Sequence, residues 1–184
     1  EAHYRQALAL ARRIGNNYTA TFALVNLGRV QLTRGEVSEA RETLKTAAIE
    51  SERLGLQDLL SLTHASLSSL DLLAANPEGA EANGLAALEI ANAMGSKFHQ
   101  AIALRSHGAA LAAMGRREPA VIDLQGSLRL FEDMKAELEV GRTCEELARA
   151  IQNEVDARTY LNRAREVFEK LHAEGDLERL SRAC

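Results

Sequence analysis

Cys144, five histidines (His3, His64, His99, His107, His172) and two close acidic pairs, Glu36 with Glu39 and Glu145 with Glu146, are the side chains that could do covalent, metal or acid–base chemistry. A nucleophilic cysteine needs a base beside it. A zinc site needs ligands at spacings such as HExxH or CxxC, and a catalytic carboxylate pair needs a cleft that shifts its pKa values. Neither metal spacing occurs, and no cleft is implied, so catalytic and metal residues are both read as none. Cys144, His64 and His107 fall in apolar helix columns and read as packed or half-buried. His3, His99 and His172 read as exposed, and the acidic pairs as solvated helix faces. GxxxxGK[ST] is absent, as is a strand followed by GxGxxG, so no nucleotide cofactor is implied. Arg12–Arg13 and Arg116–Arg117 are placed near helix ends, where cations favour the helix dipole.

The elements that carry these residues repeat. Residues 17–55 read as a helix, a turn at Gly35 and a second helix, and Gly15, Gly55 and Gly95 recur every forty residues, with Gly35 and Gly115 two periods apart. In the first helices Leu27, Leu67, His107 and Leu147 align, each followed by a small residue: Gly28, Ser68, Gly108, Ala148. A mid-helix glycine costs about 1 kcal/mol against alanine, so its recurrence points to close contact with the partner helix. Second-helix columns are Ala40, Ala80, Ala120, then Leu44, Gly84, Leu124, then Leu54, Met94, Met134. The fourth unit matches if three residues are removed from its internal turn, which places Ala157, Leu161, Ala164 and Leu171 in these columns, leaves Gly175 out of register and predicts a tighter turn at Gln152–Glu154. Gly84, in a leucine column, and Gly126, in mid-helix, stand out, and close packing or a bend is expected at each.

The predicted helices run over 1–14, 17–34, 37–54, 57–75, 77–94, 97–114, 117–134, 136–152, 155–171 and 176–183. The predicted divisions are a half repeat at 1–15, repeats at 16–55, 56–95, 96–135 and 136–175, and the start of a capping helix at 176–184, all in one domain. Pro77 and Pro119 fall in first turns, where a missing N–H is harmless. The chain has 184 residues, 46% of them hydrophobic and 26% charged, and a net charge of −4, which argues against a nucleic-acid partner held by a basic surface. No apolar window suits a membrane span, and two distant cysteines give no disulfide framework, so a cytoplasmic location is expected. The chain begins at Glu1 inside a helix whose Tyr4, Ala7, Ala11 and Ile14 match the later second helices, which suggests a fragment of a larger protein.

The pattern Leu24-x2-Leu27-Gly28-x2-Gln31, then Ala40-x3-Leu44-x2-Ala47, resembles the tetratricopeptide repeat. At forty residues the period exceeds the common unit of about 34 and looks like the long repeats of MalT-like and other bacterial signal-responsive regulators. The resemblance implies an all-α, right-handed superhelical solenoid of antiparallel helix pairs. In such arrays the first helices line a concave groove. Carried onto this chain, the groove positions are Phe22, Val25, Asn26 and Arg29; Leu62, Ser66 and Ser69; Ile102, Arg105 and Ser106; Arg142, Glu145 and Arg149. The arginines suit carboxylates or phosphates, and Phe22, Leu62 and Ile102 suit apolar side chains. The competing account of the arginines is in-helix pairing, Glu145 with Arg149 and with Arg142. The Lys/Asn clamp of chaperone-tail-binding members is not reproduced, since Val25 and Ala65 stand where a basic residue belongs.

Three functions follow. The first is a non-catalytic scaffold that binds a peptide or partner domain bearing acidic and apolar side chains. The second is a small-molecule or peptide sensor in a signal-responsive regulator, and the third an arm that self-associates through exposed solenoid ends. On this register Leu27 is a core residue, and Leu27→Ala is expected to cost about 2–5 kcal/mol, read as a lower midpoint in a thermal or urea melt.

Overall fold

A computed structural model describes residues 1–182; Ala183 and Cys184, where the expected capping helix would end, lie outside them. The described residues form ten α-helices: α1 Ala2–Arg13, α2 Asn17–Thr33, α3 Val37–Leu54, α4 Gln57–Leu73, α5 Pro77–Met94, α6 Lys97–Ala113, α7 Arg117–Asp133, α8 Glu137–Ala150, α9 Glu154–Lys170 and α10 Glu174–Arg182. Each packs against the next in the chain, as an all-helical repeat requires when no helix pair can bury its own apolar surface.

Local chemistry sets the helix ends. Asn16 Oδ1 accepts from Thr19 N at 3.0 Å, Asn76 Oδ1 from Gly79 N at 3.2 Å with Pro77 as the first helical residue, and Asn153 Oδ1 from Val155 N at 2.9 Å. Ser96 precedes α6 without capping it; its hydroxyl lies 2.7 Å from His99 Nδ1 instead. Helices stop where the chain turns left-handed. Gly15, Gly55 and Gly95 have φ near +67° between units, and Gly35 and Gly115 have φ of 75° and 76° within them. Ala75, Lys135 and His172 take the same left-handed conformation at φ of 50–55°. They complete both series of turns where the sequence shows no glycine. His172 holds the place three residues before Gly175, and the shortened fourth unit moves the turn to it.

The missing three residues do not tighten the turn. α8 is 14 residues long where α2, α4 and α6 have 17, and the chain crosses to α9 through an extended Ile151 (φ −82°, ψ 134°) without a left-handed residue. The deletion is absorbed by the helix, because shortening it by nearly a turn preserves the facing of its apolar side. α10 begins at Glu174, ahead of the expected 176.

The core is a series of clusters between helices. Leu24, Val25, Ala47 and Leu59 join the first units, and Ala40, Leu44, Leu67 and Leu70 follow. Ala65, Ala87, Ala91 and Ala103 lie in the middle, and a larger cluster around Leu124, Phe131, Leu147 and Phe168 reaches Leu180 on α10. The aligned small residues have the expected cause. A β-carbon on Gly28 would lie 2.6 Å from Leu44 Cγ, and one on Gly108 would lie 2.8 Å from Leu124 Cγ. In the second unit the roles shift. Ser68 donates its hydroxyl proton to Ala80 O at 2.8 Å, and Gly84 brings α5 against the backbone of α6, where a β-carbon would meet His107 Cα at 2.8 Å. Gly126 has no such constraint, since its β-carbon would make an ordinary 3.4 Å contact with Leu104 Cδ1.

These two glycines should therefore respond oppositely to alanine. Gly84→Ala forces two backbones apart and is expected to destabilise by about 1–3 kcal/mol. Gly126→Ala gains helix propensity and is expected to stabilise by up to about 1 kcal/mol. Paired thermal melts read both signs.

Candidate functional site

The first helices of successive units touch one another: α2 lies against α4, α4 against α6, and α6 against α8. Among the described residues the second helices α1, α3, α5, α7 and α9 make no comparable contact with each other. The first helices therefore crowd one side of the stack, which is its inner face.

Three columns cross that face at the repeat spacing. One holds Phe22, Leu62 and Ile102, of which Phe22 is 45% exposed and the others are half-buried. The next holds Asn26, Ser66 and Ser106. Each donates back to its own helix: Asn26 Nδ2 to Phe22 O (2.9 Å), Ser66 Oγ to Leu62 O (2.8 Å) and Ser106 Oγ to Ile102 O (3.1 Å). The two hydroxyl donors and one of the two Asn26 amide N–H groups are spent inward, and oxygen lone pairs remain to accept. The third column holds Arg29, Ser69 and Arg149; all three are exposed, and Ser69 Oγ donates to Ala65 O.

Val25, Arg105 and Glu145, also expected in the groove, share a different column, which faces the next unit. Val25 is 1% exposed and packs on Leu59 of α4. Arg105 lies 2.6 Å from Glu139 Oε2 of α8, donates weakly to Glu139 O and Thr143 Oγ1, and sits 5.2 Å from the Phe131 ring centroid. Glu145 is 1% exposed and held from α10 by Arg179, whose Nη2 donates to Oε2 at 2.6 Å. These three positions stand three residues after Phe22, Ile102 and Arg142, about 60° short of a full turn at ~3.6 residues per turn, and the following repeat covers them. Ser66, in the column of Asn26, is itself only 8% exposed, so at α4 that column is nearly covered.

The arginines are mostly neutralised at home. Arg149 pairs with Glu145 and Glu146. Arg142 does not pair with Glu145; it bonds Glu139 Oε1 at 2.9 Å and, in a fork, both carboxylate oxygens of Asp176 at 2.9 and 3.1 Å. The sequence did carry a signal for this chain of charges, because Glu139-x2-Arg142 recurs 37 residues later as Asp176-x2-Arg179, at the shortened period of the fourth unit. Arg29 differs. It makes no ion pair among the described residues, and its pKa is lowered first by desolvation and then by the like charges of Arg142 and Arg105, against the opposing pulls of Glu139 and Tyr4. The groups whose charges act on Arg29 belong to α1, α6 and α8.

The other candidates are structural. Burial pushes the Cys144 thiol up to about 11, which leaves it protonated at neutral pH. His64 Nδ1 meets Asn83 Oδ1 at 3.0 Å, and His107 Nδ1 meets Asp123 Oδ2 at 2.6 Å, both between packed helices. His99 is half-buried, contrary to expectation, with its pKa lowered by burial, whereas His3 and His172 are exposed. Glu36 is half-buried and Glu39 exposed. Arg116 and Arg117 stand at the start of α7, the end that disfavours cations; Arg116 bonds Glu81, which offsets that cost. Among the described residues no cluster of three or more His, Cys, Asp or Glu could hold a metal, and no helix is long and apolar enough to cross a membrane. A hollow of about 500 Å³ at Gly115–Pro119 and Gln152 is wide open to solvent, and one beside Arg12, Asn17 and Arg53 is about 180 Å³, smaller than ordinary ligand pockets of about 300–1,000 Å³.

The chain is similar to BtubC (BKLC) from P. vanneervenii. The two are 16% identical, with a TM-score of 0.71 over 92% of this chain and 72% of that one. At this identity the likeness is one of fold alone. No family model matches the chain, and no curated protein does.

The charge chain makes stability acid-sensitive. Burial raises the Glu139 pKa, but Arg105 and Arg142 lower it further, so the net value falls below the ordinary 4.5. Asp176, likewise opposed by burial, falls below 3.8 through its bonds to Arg142 and Arg179. Depressed carboxyl groups contribute their full stability above those ordinary values and lose it as pH falls through the folded ones. The melting temperature is therefore expected to hold between about pH 7 and 5 and to fall below about 4.5. Glu139→Gln should cost about 1–3 kcal/mol of stability at neutral pH, read as a lower melting temperature, and flatten the acid limb.

Proposed function

We propose that this chain is a non-catalytic interaction module of the tetratricopeptide kind, a right-handed superhelix that seats an extended segment of a partner protein on the inner face of its first helices. The observation that carries the reading is the paired ladder on α2, α4 and α6. The apolar column Phe22, Leu62, Ile102 lies beside the column Asn26, Ser66, Ser106, each of which donates to a carbonyl of its own helix and keeps an oxygen as acceptor. An extended peptide offers what such a face lacks: apolar side chains on alternate positions and backbone N–H donors between them. The likeness of fold to BtubC (BKLC) supports the architecture and is silent on the partner.

The test compares the two sides of the stack. Peptides selected from a random library against the chain are expected to lose about tenfold or more in affinity for Phe22→Asp, which places a charge in the apolar column. They should be unaffected by Ile49→Asp on the exposed side of α3, where Ile49 is 64% accessible. The reverse pattern, measured by fluorescence anisotropy, would move the binding surface to the second helices and overturn the reading.

A further inference from the structure

One face of α2 fixes a spacing. Phe22, Asn26 and Arg29 stand at i, i+4 and i+7, so they lie on one side of the helix, with Phe22 and Arg29 about 10 Å apart along its axis at ~1.5 Å per residue. An extended peptide advances about 3.3 Å per residue, so about three residues span that distance. Between the two ends, Asn26 spends one of its two amide N–H groups on Phe22 O, while its Oδ1 accepts nothing from the described residues and is open to a peptide N–H.

Charge selects what sits at the Arg29 end. Arg105 and Arg142 act on Arg29 as like charges, and their own charges are met by Glu139 and Asp176. The three arginines and two carboxylates leave one positive charge over, and it is Arg29 that has no ion pair among the described residues. At the other end Phe22 presents an exposed ring, with Leu62 beside it on the neighbouring helix at the repeat offset.

Resting on the inner-face reading above, we propose that the partner segment runs along α2 with a large apolar side chain against Phe22 and, three residues on, an anionic side chain, carboxylate or phosphate, on Arg29. Polarity follows from the helix: the apolar residue lies toward the α2 N-terminus and the anion toward its C-terminus. The other inner-face arginines, already paired, contribute field and no direct contact.

The experiment titrates the isotope-labelled chain with short synthetic peptides and follows backbone amides and the Arg29 Nε–Hε resonance by NMR. The probes are acetyl-Leu-Ser-Ser-Glu-amide, the same peptide with Glu moved next to Leu, the same with Gln for Glu, and the same with phosphoserine for Glu. The first and last are expected to shift Arg29 Nε–Hε and the amides of Phe22 and Asn26. They should bind about tenfold more tightly than the Gln peptide, and the gain should disappear in Arg29→Gln. The stronger of the two identifies the anion. Equal binding of the Gln peptide, equal binding of the adjacent Leu-Glu peptide, or undiminished binding to Arg29→Gln overturns the spacing and the role of Arg29. If the shifts still fall on α2, α4 and α6, the inner-face reading survives that result. Shifts confined to the second helices, or none up to about 10 mM peptide, overturn both.

Discussion

The stack depends on how closely the two helices of a unit can approach. In the first and third units a glycine on the first helix lies under a leucine of the second, Gly28 under Leu44 and Gly108 under Leu124, and the leucine carbons occupy the space a β-carbon would need. This contact sets the distance between helices, hence the positions of every column on either side, because interiors pack too densely to absorb a methyl group without movement. The second unit keeps the closeness by different means. Ser68 satisfies its hydroxyl on Ala80 O, and Gly84 lets α5 lie on the backbone of α6. An alanine-rich α5 follows from the same constraint, with Ala80, Ala87 and Ala91 fully buried.

Once that spacing is set, each first helix has three jobs on three sides. One side meets its own second helix through the small column. Another, the column of Val25, Ala65, Arg105 and Glu145, meets the next unit. The third stays open. Along the chain the unit-to-unit column changes chemistry from apolar to ionic, so that Val25 packs on Leu59 while Arg105 and Glu145 meet Glu139 and Arg179. Buried ion pairs of this kind add modest net stability, yet removing one partner is costly, so they hold register more than they add strength. Of the four arginines expected on the inner face, Arg105 and Arg142 are thus committed to joining units and Arg149 is paired within its own helix, which leaves Arg29 without an ion pair among the described residues.

The reactive side chains are absorbed by the same packing. Cys144 is sealed among Val140, Leu147 and Phe168, and burial keeps its thiol protonated. The two histidines in first-helix columns each turn a ring nitrogen toward a polar side chain of the adjacent second helix, Asn83 or Asp123, which satisfies a polar group that could not otherwise be buried.

Much of this was legible in the residues. The forty-residue recurrence, the small column and the proline and asparagine helix starts determine ten helices and their order, because these signals are local: they act through capping, propensity and helical period within a few residues. The turns at Ala75, Lys135 and His172 were legible only by position, since nothing in those residue types favours a left-handed backbone. The tertiary structure decided the rest. It showed that α8 gives up nearly a turn to absorb the deletion, that Gly84 serves α6 and Gly126 serves nothing, and that Arg142 reaches Asp176 in place of Glu145. It also separated the column of Val25, Arg105 and Glu145 from that of Phe22, Asn26 and Arg29. Neighbouring positions on one helix differ only by rotation, and whether the next unit covers a given side depends on how the units curve, a property of many contacts summed across the stack and written in no single stretch of sequence.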